Sequence, residues 1–121
     1  MSLIQVLKSK IHGGIVTDAN VEYEGSVSID SSLMEMSGIK EYEAVHIWNK
    51  TRGTRLVTYA ISAPPNSGTI CLNGAAALQN KVGDSVIIAA FRYVNEEEYN
   101  KFQPRVVFVD AKNKPVRKQG I

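Results

Sequence analysis

A serine that directly follows a glycine can turn its hydroxyl on the peptide bond between them, and this chain carries such a pair in Tyr23-Glu24-Gly25-Ser26-Val27-Ser28. Glycine leaves its carbonyl unhindered and its backbone free to adopt conformations closed to other residues. Attack by the Ser26 hydroxyl on the Gly25 carbonyl displaces the serine nitrogen and leaves an ester. Elimination across the serine Cα and Cβ then gives a dehydroalanine, which hydrolyses to a pyruvoyl group at a new N-terminus. Such a ketone is an electrophile that no ordinary side chain provides. Taken alone, Gly-Ser reads first as a common turn pair.

Other residues could serve a site around that junction. Lys10 and His12 are two positions apart, so on a strand they share a face, which is either a polar pocket wall or an ordinary half-exposed surface. Arg55 carries a planar fork suited to a carboxylate, although with Arg52 it also flanks Gly53-Thr54 as a hairpin arginine would. Thr58 and Tyr59 are adjacent and on a regular strand point to opposite faces. Both reach one site only if the strand twists, ends, or lies at a subunit boundary; plain sheet packing is the other reading of Tyr59. Asn73-Gly74-Ala75-Ala76 offers backbone N–H groups and small side chains at a short helical turn, which suits an anion but equally describes a helix cap. Trp48 and Tyr23 are candidate walls, with the core as the alternative for the lone tryptophan.

The elements that must position these groups are mostly short strands. Residues 11–17, 26–29, 44–49, 56–62, 69–72, 85–93 and 106–109 are rich in β-branched and aromatic residues and are separated by turn chemistry. Three helical pieces interrupt them: 32–37, capped by Asp30 or Ser31 and ended by Gly38; a turn over 74–78 led by Asn73; and a helix opened by Glu96, Glu97 and Glu98 that runs toward Phe102. This pattern predicts a mainly β chain forming a barrel or sandwich. At 121 residues and 44% hydrophobic content, one domain with a modest core is expected, a size that favours oligomers. The net charge of +2 is mixed along the chain, which argues against nucleic-acid and acidic-membrane partners. Lys112, Lys114, Arg117 and Lys118 read as a solvated, frayed tail, and the single Cys71 as a small buried hydrophobe. The chain shows neither a bilayer-length apolar segment nor a signal-peptide core, so a cytoplasmic protein is expected.

Lys10-Ile11-His12, Val16-Thr17-Asp18-Ala19, Gly25-Ser26, Trp48-Asn49, Arg55, Thr58-Tyr59 and Leu72-Asn73-Gly74-Ala75-Ala76-Ala77, at spacings that need no large insertion, together resemble the pyruvoyl-dependent aspartate 1-decarboxylases, from about Leu7 to about Pro104. The resemblance implies a six-stranded double-psi β-barrel, a fold that alternation alone does not single out. It also implies a proenzyme cut between Gly25 and Ser26 into chains 1–25 and 26–121, with Ser26 becoming a pyruvoyl that forms a Schiff base with L-aspartate and yields β-alanine and carbon dioxide for pantothenate and coenzyme A synthesis.

On the same resemblance Thr58 bonds the Gly25 carbonyl during self-cleavage and later contacts substrate, Tyr59 protonates the α-carbon, and Arg55, Lys10, Gly74, Ala75 and Ala76 bind substrate. His12, Tyr23, Trp48 and Asn73 support the pocket, which lies between protomers of a homotetramer. No metal is expected, and cleavage is either spontaneous or helped by a maturation factor. The chain departs from the family pattern at Gly13-Gly14, where a flexible or bulged strand is expected, and at Leu78-Gln79-Asn80. The alternatives are a binding module on a related barrel, an unprocessed and inactive relative, and a serine hydrolase, for which a G-x-S-x-G elbow is missing.

Overall fold

The computed structural model describes residues 2–117. Its strands are β1 (Ile4–Ile15), β2 (Asp18–Asn20), β3 (Ser26–Asp30), β4 (Ala44–Asn49), β5 (Arg55–Ala63), β6 (Ile70–Asn73), β7 (Ser85–Val94), β8 (Arg105–Val109) and β9 (Pro115–Val116). Two helices, α1 (Ser31–Ser37) and α2 (Glu96–Lys101), and a 3₁₀ turn, Gly74–Leu78, complete the described elements. The strands form one mixed sheet in the order β2-β6-β3-β5-β4-β7-β1-β8-β9.

Alternation builds the barrel wall. Ile11, Ile88, Ile47 and Val45 turn inward from β1, β7 and β4 to meet Val27, Ile29, Ile70 and Leu72 from β3 and β6, each at most 1% exposed. The far end of β1 then curls back across the sheet, where Val16 N donates to Asp84 O at 2.9 Å and Thr17 N to Ile70 O at 2.8 Å. These bonds join β1 to the β6 side of the sheet and satisfy backbone groups that an open edge would leave bare. The result agrees with the mainly β double-psi barrel and its few short helices.

The helices follow their capping chemistry. The Asp30 carboxylate accepts from Ser32 N at 2.8 Å to start α1, and Gly38, at φ 77°, ends it in the left-handed conformation. Asn95 and Glu98 form a reciprocal capping box at α2. Gly13-Gly14 does carry an irregularity, a register shift between His12 and Gly14.

Three expectations need correction. β1 begins at Ile4 instead of residue 11, because a bulge between Leu7 and Ser9 breaks the alternation and Ser9, although polar, is fully buried. The tail does not fray at Lys112 and Lys114: Asn113 is buried and stitches the segment to Ile15 and Gly68, and β9 pairs with β8. Lys118 lies outside the described residues. Cys71 is only half-buried, and its thiol donates to Asn73 Oδ1 at 3.2 Å. Among the described residues no helix is long and apolar enough to cross a membrane.

Candidate active site

Residues directly opposite one another in a ladder point to the same face. Across β1, β7, β4 and β5 one row runs His12, Ile87, Trp48, Arg55, and the next runs Lys10, Ala89, His46, Val57. Tyr59 and Ile61 continue the outward side of β5, Ser28 lies beside Ile61 on β3, and Ser26 lies beside Asn73 on β6. Lys10, His12, Trp48, Arg55, Tyr59, Ser26 and Asn73 therefore occupy one outer face of the curved sheet. Thr58, paired with Val45, has the opposite parity.

That parity decides how the junction is contacted. Ser26 opens onto a cavity of about 540 Å³ whose walls include Tyr23, Tyr42, Tyr59 and Asn73. Gly25 opens onto a second cavity of about 290 Å³, with Thr58, Ala75 and Ala76 in its wall. Tyr59 thus shares a cavity with Ser26 and Thr58 shares one with Gly25, so the two neighbours on β5 each line a cavity with one residue of the junction.

The serine is held from both sides. Its hydroxyl is buried, donates to Glu24 O at 3.2 Å and accepts from Asn73 Nδ2 at 3.0 Å, while the same amide donates to Ser28 Oγ at 3.0 Å. Asn73 makes no side-chain cap bond to the 3₁₀ turn. The Asn73 side chain is thus turned to Ser26 and Ser28 and not to the helical turn that it precedes. Cys71 completes the cluster, with burial first and then the Asp18 charge pushing its thiol pKa up, so it is a neutral donor and a poor nucleophile.

Gly74 packs directly against the junction backbone. A Cβ there would stand 2.6 Å from Gly25 N, 2.7 Å from Gly25 Cα and 2.8 Å from Tyr23 O, and the residue sits at φ 69°. What approaches this glycine so closely is the backbone of Tyr23 and Gly25.

Arg55 and Trp48 belong to a third cavity of about 290 Å³, which shares no lining residue with the first two. The Arg55 guanidinium lies 5.2 Å from the centre of the Trp48 ring. Of the two arginines flanking the β4–β5 turn, Arg52 is engaged by Asp84 at 2.6 Å, whereas Arg55 has no carboxylate partner among the described residues. Burial favours the neutral acid at Asp84, but the bonds from Arg52, Lys81 N and Asn49 outweigh it and hold the pKa at about 2. Asn49 and Asn80 extend this network to the carbonyls of Gln79 and Ala76, so the arginine-bearing turn and the 3₁₀ turn share one support.

Within one chain, then, Ser26, Tyr23, Tyr59 and Asn73 come together, as do Gly25, Thr58, Ala75 and Ala76. Arg55, Trp48, Lys10 and His12 stand farther along the same face, with His12 against Phe108 at 5.3 Å between ring centres. Sequence reasoning missed Ser28, Glu24 and Tyr42. Ser28 had a signal, its two-residue spacing from Ser26; Tyr42 had none, since its ring meets Tyr59 at 6.3 Å only through a left-handed residue in the turn before β4.

A family model described as aspartate decarboxylase matches residues 2–116. The aspartate 1-decarboxylase of Caldicellulosiruptor saccharolyticus is 53% identical over 115 residues, covering 95% of this chain and 90% of that protein. Those of Syntrophotalea carbinolica and Thermoanaerobacter pseudethanolicus are each 50% identical, over 96% and 92% of this chain and 88% and 95% of their own lengths.

Proposed function

Because the chain belongs to the aspartate decarboxylase family, we propose that it is made as a proenzyme, cuts itself between Gly25 and Ser26, and then converts L-aspartate to β-alanine and carbon dioxide for pantothenate synthesis in the cytoplasm. The observation that supports this most strongly is the junction itself, with a buried serine hydroxyl fixed by Asn73 and a glycine wedged against Gly74.

In this reading the Ser26 oxygen attacks the Gly25 carbonyl, and the negative charge that grows on the carbonyl oxygen is met by Thr58 from the Gly25 side. Nitrogen departs to give the ester. Loss of the serine Cα hydrogen expels the Gly25 carboxylate, and hydrolysis of the resulting dehydroalanine releases ammonia and leaves the ketone. The pyruvoyl so formed supplies the electron sink for decarboxylation. The residues present fit it: at position 26 it would lie between Asn73 and Tyr59, behind the wall made by Tyr23.

The remaining steps belong to side chains. Arg55 takes a substrate carboxylate with its fork while Trp48 holds the guanidinium by its ring face, and Lys10 adds positive charge. Gly74, Ala75 and Ala76 leave room for substrate. Tyr59 Oη delivers a proton to the α-carbon, a transfer that a phenol makes readily to a strongly basic centre. His12 braces the Lys10 strand.

The arginine half and the serine half occupy separate cavities of one chain, with exposed Val57 between them on β5. Assembly as a homotetramer, in which a neighbouring copy supplies one half, joins them. The segment that carries β1 and β2 stays in place after cleavage, since both strands are part of the sheet.

The test is production of β-alanine from aspartate by the matured protein. Ser26→Ala should abolish both cleavage and product; full decarboxylation by that variant would overturn the proposal.

A further inference from the structure

A cavity of about 590 Å³ shares no lining residue with those at the junction or beside Arg55. Five cations far apart in sequence line it: Lys8 from β1, Lys40 from the loop after α1, Arg92 from β7, Lys101 at the end of α2 and Arg105 at the start of β8. Lys8 is the extra residue of the bulge between Leu7 and Ser9, and such a bulge re-aims the side chain it carries.

The carboxylates nearby are too few. Glu43 holds Lys8 at 2.8 and 3.0 Å, and Glu98 reaches Arg92 at 3.4 Å while also capping α2. Lys40, Lys101 and Arg105 have no carboxylate partner among the described residues, so the cavity holds a surplus of three positive charges. Gly38 makes room for one of them, since a Cβ there would meet the Arg105 guanidinium nitrogen at 3.3 Å.

Like charges gathered in one concavity raise its potential and draw an anion in. An arginine fork beside lysine point charges is the usual set for phosphate oxygens, and the volume lies in the range of small-molecule sites. Phe102 and Val94 add an apolar wall. The charge surplus exceeds what one carboxylate or one phosphate needs, and the five cations converge on one open concavity instead of forming the long stripe that a nucleic acid would track. We propose that this cavity binds a small anion bearing a diphosphate group, at a site distinct from that of decarboxylation.

Calorimetric titration of the matured, assembled protein at low salt, with inorganic pyrophosphate and with adenosine diphosphate as probes, tests this. One saturable site per chain is expected, weakened about tenfold or more by Arg105→Gln, as the loss of a charged hydrogen bond implies. Lys101→Gln, at the exposed end of α2, should weaken it in the same direction without disturbing the fold. Arg55→Ala should leave it unchanged. Tighter binding of the nucleotide would put its organic part on the Phe102 wall, and equal binding would mean that the diphosphate alone is read. Absence of saturable binding by both probes, binding indifferent to Arg105→Gln and Lys101→Gln, or binding lost in Arg55→Ala would overturn the assignment.

Discussion

Asn49 and Asn73 lie at the same depth, each 3% exposed, yet they organise opposite kinds of surroundings. Asn49 accepts from Thr51 N and Arg52 N and donates toward Gln79 O, Asn80 Oδ1 and Asp84 Oδ2, so its partners are backbone groups, an amide and a carboxylate that are fixed in turn. Asn73 is bonded to two hydroxyls and a thiol, all of them rotatable. A saturated amide locks a turn; an amide surrounded by rotors holds a reactive group in place while leaving it able to move. In the proposed function the first cluster carries stability and the second chemistry, and each can be disturbed separately.

The most severe disturbance is Gly74→Ala. Its methyl group would collide with the Gly25 backbone and its φ of 69° would be strained, so cleavage should stop altogether, as intact mass would reveal. An alanine variant that matures at the normal rate would show that the junction is not seated on Gly74. Next come the neighbours on β5. Tyr59→Phe should mature normally but lose on the order of 10²–10⁴ in turnover, the range for a lost proton donor. Thr58→Ala should slow maturation by on the order of 10²–10³, the range for a lost oxyanion contact. An uncleaved Tyr59→Phe protein would mean that the two faces of β5 have been assigned the wrong way round.

The asparagines themselves give smaller effects. Asn73→Ala should slow cleavage by roughly tenfold, from loss of one buried hydrogen bond to the nucleophile, with a modest change in melting temperature. Asn49→Ala should do the reverse, destabilising the fold by about 2–4 kcal/mol through its stranded partners while the folded protein still matures. If Asn49→Ala melted normally and cleaved slowly, the comparison would be inverted. The mildest effect is acid sensitivity. Asp84 is held at about 2 in the folded chain, against about 3.9 for an unperturbed aspartate. Its contribution is therefore present above pH ~4 and lost as pH falls through the folded value. The melting temperature should fall over that window, and less steeply in Asp84→Asn.

Much of the barrel was legible because its inward positions are β-branched and alternate: Val27 and Ile29, Val45 and Ile47, Val86 and Ile88. The ends of α1 were legible because Asp30 and Gly38 carry their capping chemistry openly. The first half of β1 was hidden by the Lys8 bulge and a buried Ser9, and β9 by lysines that conceal the anchor at Asn113. The candidate site residues were singled out through a set of motifs, but their arrangement needed the ladder. Opposite parity for Thr58 and Tyr59 was predictable from spacing, whereas the placement of Gly25 and Ser26 alongside them depends on the pairing of β3 with β5. The seating of Gly25 on Gly74 joins segments about fifty residues apart, and local pattern carries no trace of it.

The central claim is that the Gly25–Ser26 peptide is broken by the chain's own serine. Denaturing intact mass spectrometry of purified protein after prolonged incubation tests it most directly. The account predicts two fragments meeting at that bond, the larger lighter by one ammonia than a chain beginning with serine. A single undivided mass from protein that decarboxylates aspartate would contradict it.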